Sequence, residues 1–194
     1  MDLKFFSIYL HDYGCPIGLR ICLNQPEKIE KLIVQNGNAY MEGIGPEWDE
    51  TRDYWEHPTE EKKQRVAAFL SKDGIKMQYT AGLSNELLAR VSPELWIFDW
   101  DRMSRPGNID MQFELNCDYK SNLEMYPAFQ KYFRTYQPPA LIIWGRHDAF
   151  FSVKEANCYK RDLPNAQVHI LDGGHHALET NFGEVSNLVS NFLL

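Results

Sequence analysis

A short apolar run, Phe5-Phe6-Ser7-Ile8-Tyr9-Leu10, ends abruptly at His11-Asp12-Tyr13-Gly14 and is followed at once by Pro16. The run is aromatic and branched, with Ser7 its one strongly polar residue, as expected of a parallel strand covered on both faces. Pro16 suits the first turn of a helix, where its missing N–H has no helical partner to lose. That helix continues through Gly18-Leu19-Arg20-Ile21-Cys22-Leu23 and stops before Pro26. Lys31-Leu32-Ile33-Val34-Gln35-Asn36 is a second strand, so the opening is a βαβ unit. A tight strand-to-helix turn presents one side chain at its tip and aims helix N–H groups at whatever binds there. Asp12 stands at that tip, with Gly14 and Cys15 as the small neighbours a crowded backbone requires.

The α/β rhythm returns late in the chain. Ala140-Leu141-Ile142-Ile143-Trp144 is a strand ending at Gly145, 153–163 is helical, and Gln167-Val168-His169-Ile170-Leu171 is another strand. Val185, Leu188, Val189 and Phe192 mark one face of a last helix. Between the two α/β parts, residues 39–136 are rich in Trp, Tyr, Glu and Lys and hold helical patches at 60–70 and 123–133. No strand of comparable quality occurs there. The expected layout is a parallel-sheet α/β core in two segments, 1–38 and 137–194, interrupted by a helical cap at 39–136.

Hydrophobic residues make up 44% of 194, enough for a real core, and the length suits one domain with a lid. A formal net charge of -7 argues against nucleic acid or an anionic membrane as partner, since both need a basic surface. Cys15, Cys22, Cys117 and Cys158 form no CxxC pair and read as reduced thiols. The apolar start is interrupted by Lys4 and lacks a small-residue cleavage site. No run approaches the ~20 apolar residues of a membrane span. The expectation is a cytoplasmic protein acting on a small molecule, with no cofactor.

Three residues carry the chemistry. Taken alone, Asp12 reads first as a helix N-cap. Two partners change the balance. Gly145-Arg146-His147-Asp148 puts Asp148 on the loop after a core strand, and Gly173-Gly174-His175-His176-Ala177 puts His175 on the loop after the last strand. Functional residues gather at that edge of a parallel sheet. A serine version, GxSxG, is absent; Gly82-Leu83-Ser84-Asn85-Glu86 comes nearest. His11 and His147 read as surface or supporting residues. Adjacent His175 and His176 point apart, and no HxxxH or HxH pair exists, so no metal is expected.

The stretches His11-Asp12-Tyr13-Gly14-Cys15-Pro16-Ile17-Gly18, Ile143-Trp144-Gly145-Arg146-His147-Asp148 and Gly174-His175-His176-Ala177-Leu178-Glu179 resemble the nucleophile, acid and histidine segments of the α/β-hydrolase superfamily. The branch is the one containing epoxide hydrolases and haloalkane dehalogenases. The resemblance implies an α/β fold: the C-terminal half of the parallel sheet, with the helical cap inserted. It implies that Asp12 attacks an sp³ carbon to form an alkyl ester. His175 then activates water, oriented by Asp148, and the Tyr13 backbone N–H serves as oxyanion donor.

Tyr13 stands where both subfamilies usually carry Trp. Asp118-Tyr119-Lys120-Ser121-Asn122 looks like the Tyr-Arg-Asn cap segment of epoxide hydrolases, which makes Tyr119 the candidate donor to an opening epoxide oxygen. Tyr54, early in the cap, is the second candidate; both also read as ordinary packing aromatics. The implied activity is epoxide hydrolase-like on small apolar substrates, with a haloalkane dehalogenase-like hydrolase as the alternative. The family has further strands before the nucleophile strand, including a His-Gly loop. The expectation is therefore the later part of a longer hydrolase, or a truncated fragment that is not an enzyme in this form. The first strand then becomes an apolar edge open to self-association.

Overall fold

The structure is a computed structural model and describes residues 3–194; the first two residues of the expected 1–38 segment lie outside the described residues. The chain runs β1 (Phe6–His11), α1 (Gly14–Asn24) and β2 (Ile29–Gln35). It then continues through α2 (Asp49–Glu56), α3 (Glu60–Ala68), α4 (Lys72–Thr80), α5 (Asn85–Leu88), α6 (Glu94–Met103), α7 (Asn108–Asp118) and α8 (Lys120–Tyr136). It closes with β3 (Ala140–Gly145), α9 (Lys154–Asp162), β4 (Gln167–Leu171), α10 (Ala177–Thr180) and α11 (Phe182–Leu193). Between β2 and β3, every described helix or strand is helical.

The four strands form one all-parallel sheet in the order β1-β2-β3-β4. Strict alternation sorts β2 and β3 onto two cores. Leu32, Val34, Ala140, Ile142 and Trp144 face a large cluster built with α1, α8 and α9, whereas Ile33, Leu141 and Ile143 face Val185 of α11. All six residues of β3 are buried, which suits a strand paired on both sides and covered on both faces. β1 differs. It is an edge strand; only Leu10 is buried, and Phe5 and Tyr9 are exposed. The two-sided burial expected of that run is not met, because one flank of the strand has no partner among the described residues.

One close approach fixes the turn. A Cβ on Gly18 would lie 2.1 Å from the tip of the Leu10 side chain, so α1 crosses β1 closely and a larger residue there would have to displace that leucine. Gly14, chosen from sequence as the small residue, is open: nothing lies within 4 Å of an added Cβ. The tight packing there falls instead on Gly18, and on Cys15 against Gly37.

Candidate active site

Asp12 is held at φ 47°, the left-handed region that costs a non-glycine residue energy and that Asp and Asn tolerate best. Its N–H donates to Asn36 O at 3.2 Å and its carbonyl accepts from Cys15 N at 2.9 Å. Tyr13, not Asp12, occupies the cap position of α1, and no side chain caps that helix. The Asp12 carboxylate is thereby freed from the local role that could have explained it. Its side chain is 34% exposed, open to a reactant. The Tyr13 N–H beside it has no protein acceptor among the described residues.

His175 and Asp148 arrive from the ends of β4 and β3. Their loops are stitched by Arg146 N to Leu171 O and His147 N to Gly173 O, each 2.9 Å. Gly145 makes this possible, since a Cβ there would sit 2.0 Å from Gly174 O. His175 Nδ1 lies 3.0 Å from Asp148 Oδ2, and its Nε2 lies 4.0 Å from Asp12 Oδ2. The first is a hydrogen bond and the second an ion-pair distance. Phe150 and Phe151 enclose the imidazole edge-on, and their N–H groups donate to Asp148 Oδ1 at 2.8 and 3.0 Å.

Burial alone pushes the His175 imidazole down, but the Asp148 and Asp12 carboxylates outweigh it and lift its pKa to about 10. Burial likewise works to raise both carboxylates, and His175 holds each below the usual range. His176 goes the other way. Burial, then the charge on His175, drives it down to about 3, and it stacks on Tyr79 of α4 at 4.1 Å. Of the adjacent pair, His175 is the one that carries a proton between two carboxylates. His11 also sits beside His175, 3.1 Å from its carbonyl, and is lowered by burial and by that neighbour. His147 lies outside the group and pairs with Asp172.

Sequence reasoning passed over Asn36. Fully buried and itself at φ 41°, it accepts from Gly145 N through Oδ1 at 3.1 Å and donates through Nδ2 to Asp148 at 2.7 Å. Its one visible signal was its place at the end of β2, on the same sheet edge as Asp12 and Asp148.

A cavity of about 680 Å³ opens onto Asp12 and His175, bounded by Tyr13, Phe150 and Phe151 and by residues of the helices between β2 and β3. The two cap tyrosines chosen from sequence are elsewhere. Tyr119 is fully buried behind the cavity, against Tyr13 and Trp48, where its hydroxyl accepts from Asn38 Nδ2 at 3.4 Å. Tyr54 packs on Phe113 and lines a separate depression. Neither borders this cavity, because helix packing turns both rings toward other aromatics. Ser84 of the near-GxSxG stretch caps α5, its Oγ accepting from Leu87 N at 3.3 Å. No group of His, Cys, Asp and Glu suited to a metal occurs among the described residues. Among them, no helix is long and apolar enough to cross a membrane.

A parallel sheet that presents a carboxylate on a strained strand-to-helix turn, with an imidazole and a second carboxylate at the same edge, defines a hydrolase-type α/β architecture. The chain belongs to the alpha/beta hydrolase fold family, which it matches over residues 7–182. It is 35% identical over 185 residues to an uncharacterized hydrolase of Saccharomyces cerevisiae, covering 93% of this chain and 63% of that protein. It is 26% identical over 217 residues to a cis-3-alkyl-4-alkyloxetan-2-one decarboxylase of Shewanella oneidensis, covering 96% and 59%. The chain thus spans less than two thirds of the length of either curated relative. The structure of a mutant of an epoxide hydrolase from Solanum tuberosum shares the fold, with a TM-score of 0.68 at 16% identity, covering 98% of this chain and 70% of that one.

Proposed function

We propose that the site hydrolyses small substrates through a covalent alkyl ester on Asp12, with strained oxygen rings such as epoxides as the preferred class. The observation that carries this reading is the carboxylate itself. The side chain at the tip of the turn, facing the cavity and the imidazole, is Asp rather than Ser or Cys. A carboxylate attacks an sp³ carbon and leaves an ester, which water must then cleave.

The electrostatics give the order of events. In the resting site His175 is an imidazolium between two carboxylates, which keeps Asp12 ionised and ready to attack. Esterification removes the Asp12 charge and with it part of what holds the proton on His175. The imidazole then moves toward neutrality and can take a proton from water, while Asp148 steadies the charge it acquires. The Tyr13 N–H is placed to receive the oxyanion. Strained oxygen rings are favoured because the Shewanella relative is named for an oxetan-2-one and the potato neighbour is an epoxide hydrolase. Haloalkanes are the alternative substrates.

The test is a single turnover in heavy-oxygen water with enzyme in excess, over a panel of epoxides, haloalkanes and simple esters. The first product should carry unlabelled oxygen from Asp12, and the label should appear in Asp12. Full labelling of the first product defeats the covalent route. Ester turnover that survives Asp12→Asn defeats the assignment of the nucleophile.

A further inference from the structure

Opening an oxygen ring leaves an alkoxide that needs a proton, and the tyrosines chosen for this from sequence do not border the cavity. Two other side chains do. Tyr13 follows Asp12 directly and lines the same wall. Asn116 reaches that wall from α7 in the cap. The cap's charged residues on the wall, among them Glu50, Arg65 and Asp73, are exposed, whereas Asn116 is 9% exposed. Its Oδ1 has no hydrogen-bond partner. A buried amide oxygen without a partner is costly to keep unless a ligand or a rotating hydroxyl satisfies it. The Tyr13 phenol is a hydroxyl lining the same cavity as the Asn116 amide. Tyr119 backs the Tyr13 ring edge-on, with centroids 5.5 Å apart, and so restrains it from behind.

Resting on the Asp12 reading above, we infer that Tyr13 is the acid that protonates the departing ring oxygen, with the Asn116 amide as its hydrogen-bond partner and second donor to that oxygen. Asp12 forms its bond to the ring carbon, the ring C–O bond breaks with its electron pair on oxygen, and that oxygen takes the Tyr13 hydroxyl proton. The phenolate regains a proton from the His175 imidazolium through the water of the cavity. His175 is left neutral, as the hydrolytic step requires, and recovers its proton from the attacking water. One ring and one water give one diol. Burial, and after it the Asp12 charge, holds the Tyr13 phenol above its ordinary range. Esterification removes that charge, so the phenol becomes a stronger acid as its proton is needed.

The experiment follows the Asp12 ester by intact mass during a single turnover of styrene oxide. Tyr13→Phe should slow ester formation by about 10²–10³-fold and leave ester decay unchanged. Asn116→Leu should slow formation about tenfold; Asn116→Asp, which keeps the size but has no N–H, should do the same should the leucine variant fold poorly. Unchanged formation in Tyr13→Phe, or formation and decay slowed alike, overturns the proposal, the second because a merely structural role moves both steps. An intact protein that forms no ester at all would count against the Asp12 reading. Binding of 1-phenyl-1,2-ethanediol, read by Trp48 fluorescence, then decides this inference separately. Affinity about tenfold weaker in Tyr13→Phe and Asn116→Leu supports it, and equal affinity overturns it.

Discussion

The side-chain amide of Asn36 donates a 2.7 Å hydrogen bond to Asp148 Oδ2, the same oxygen that receives His175 Nδ1. Through its backbone oxygen Asn36 also holds the Asp12 N–H, and through Oδ1 the Gly145 N–H. One buried residue thus joins the ends of β1, β2 and β3.

Asn36→Gly removes the amide while accepting the positive φ. It leaves one hydrogen bond to Asp148 unmade and Gly145 N–H unpaired, a loss of about 2–4 kcal/mol of stability by chemical denaturation. Ester decay should slow more than ester formation, because decay depends on the His175–Asp148 pair. A variant with wild-type stability and rates would show that the site does not depend on this link.

The paired charges predict a stability profile with a definite sign. The folded pKa of His175 is raised to about 10, so its contribution is complete below its ordinary value near 6.5 and is lost as pH rises toward 10. Asp12 and Asp148 are depressed, so their contributions are present above the ordinary carboxylate range and vanish as pH falls below it. Thermal midpoints should therefore decline from about pH 6.5 to 10 in the wild type. The decline should be smaller in Asp12→Asn, where one of the charges holding the proton is gone. Parallel curves for the two proteins would contradict the coupling.

Glu155, on α9, has no exposed surface, and burial pushes its carboxyl well above the ordinary range. Oε1 accepts from Ala39 and Tyr40 N–H, while Oε2 has no partner, and the same is true of Asn38 Oδ1. Both orphan oxygens lie within 2.8 Å of the point where a Gly43 Cβ would stand. A protonated Glu155 would join them. A raised acid costs stability as pH climbs above its unfolded value, so Glu155→Gln should stabilise the fold progressively as pH rises above 4.5. An ionised Glu155 would give the opposite result, with Gln destabilising at every pH.

We propose, finally, that the open edge of β1 pairs with a second copy of the chain. Phe5 just before β1 and Tyr9 on it are exposed, as are Ile17 and Ile21 on α1. Sedimentation should show a dimer that Tyr9→Lys dissolves. A monomer at every concentration removes the idea.

Strands and their chemistry-bearing ends were readable because the signal is local. Ala140–Gly145 is a continuous apolar run, and Asp148 follows it by three residues. The cap was readable only as helical. Helices α6 and α7 expose Phe98, Met111 and Leu115, so the apolar stripe that would have placed their faces is blurred. The direction of Tyr119 and Tyr54, and the arrival of Asn116 at the cavity, depend on how those helices pack, which no short window of sequence contains. Asn36 escaped notice for a different reason. Followed by Gly37, it has the look of an ordinary turn, and its partners lie 109 and 112 positions away.

That separation also governs how the molecule must assemble. β2 and β3 are neighbours in the sheet, yet the whole cap lies between them in the chain. Their pairing closes a loop whose entropic cost is met before any of its hydrogen bonds is gained. A cap that collapses first shortens the effective loop and brings Asn36 within reach of Asp148. Collapse of the helical segment between β2 and β3 is therefore expected to speed the joining of those two strands in refolding, so that the segment tethers the site before it roofs it.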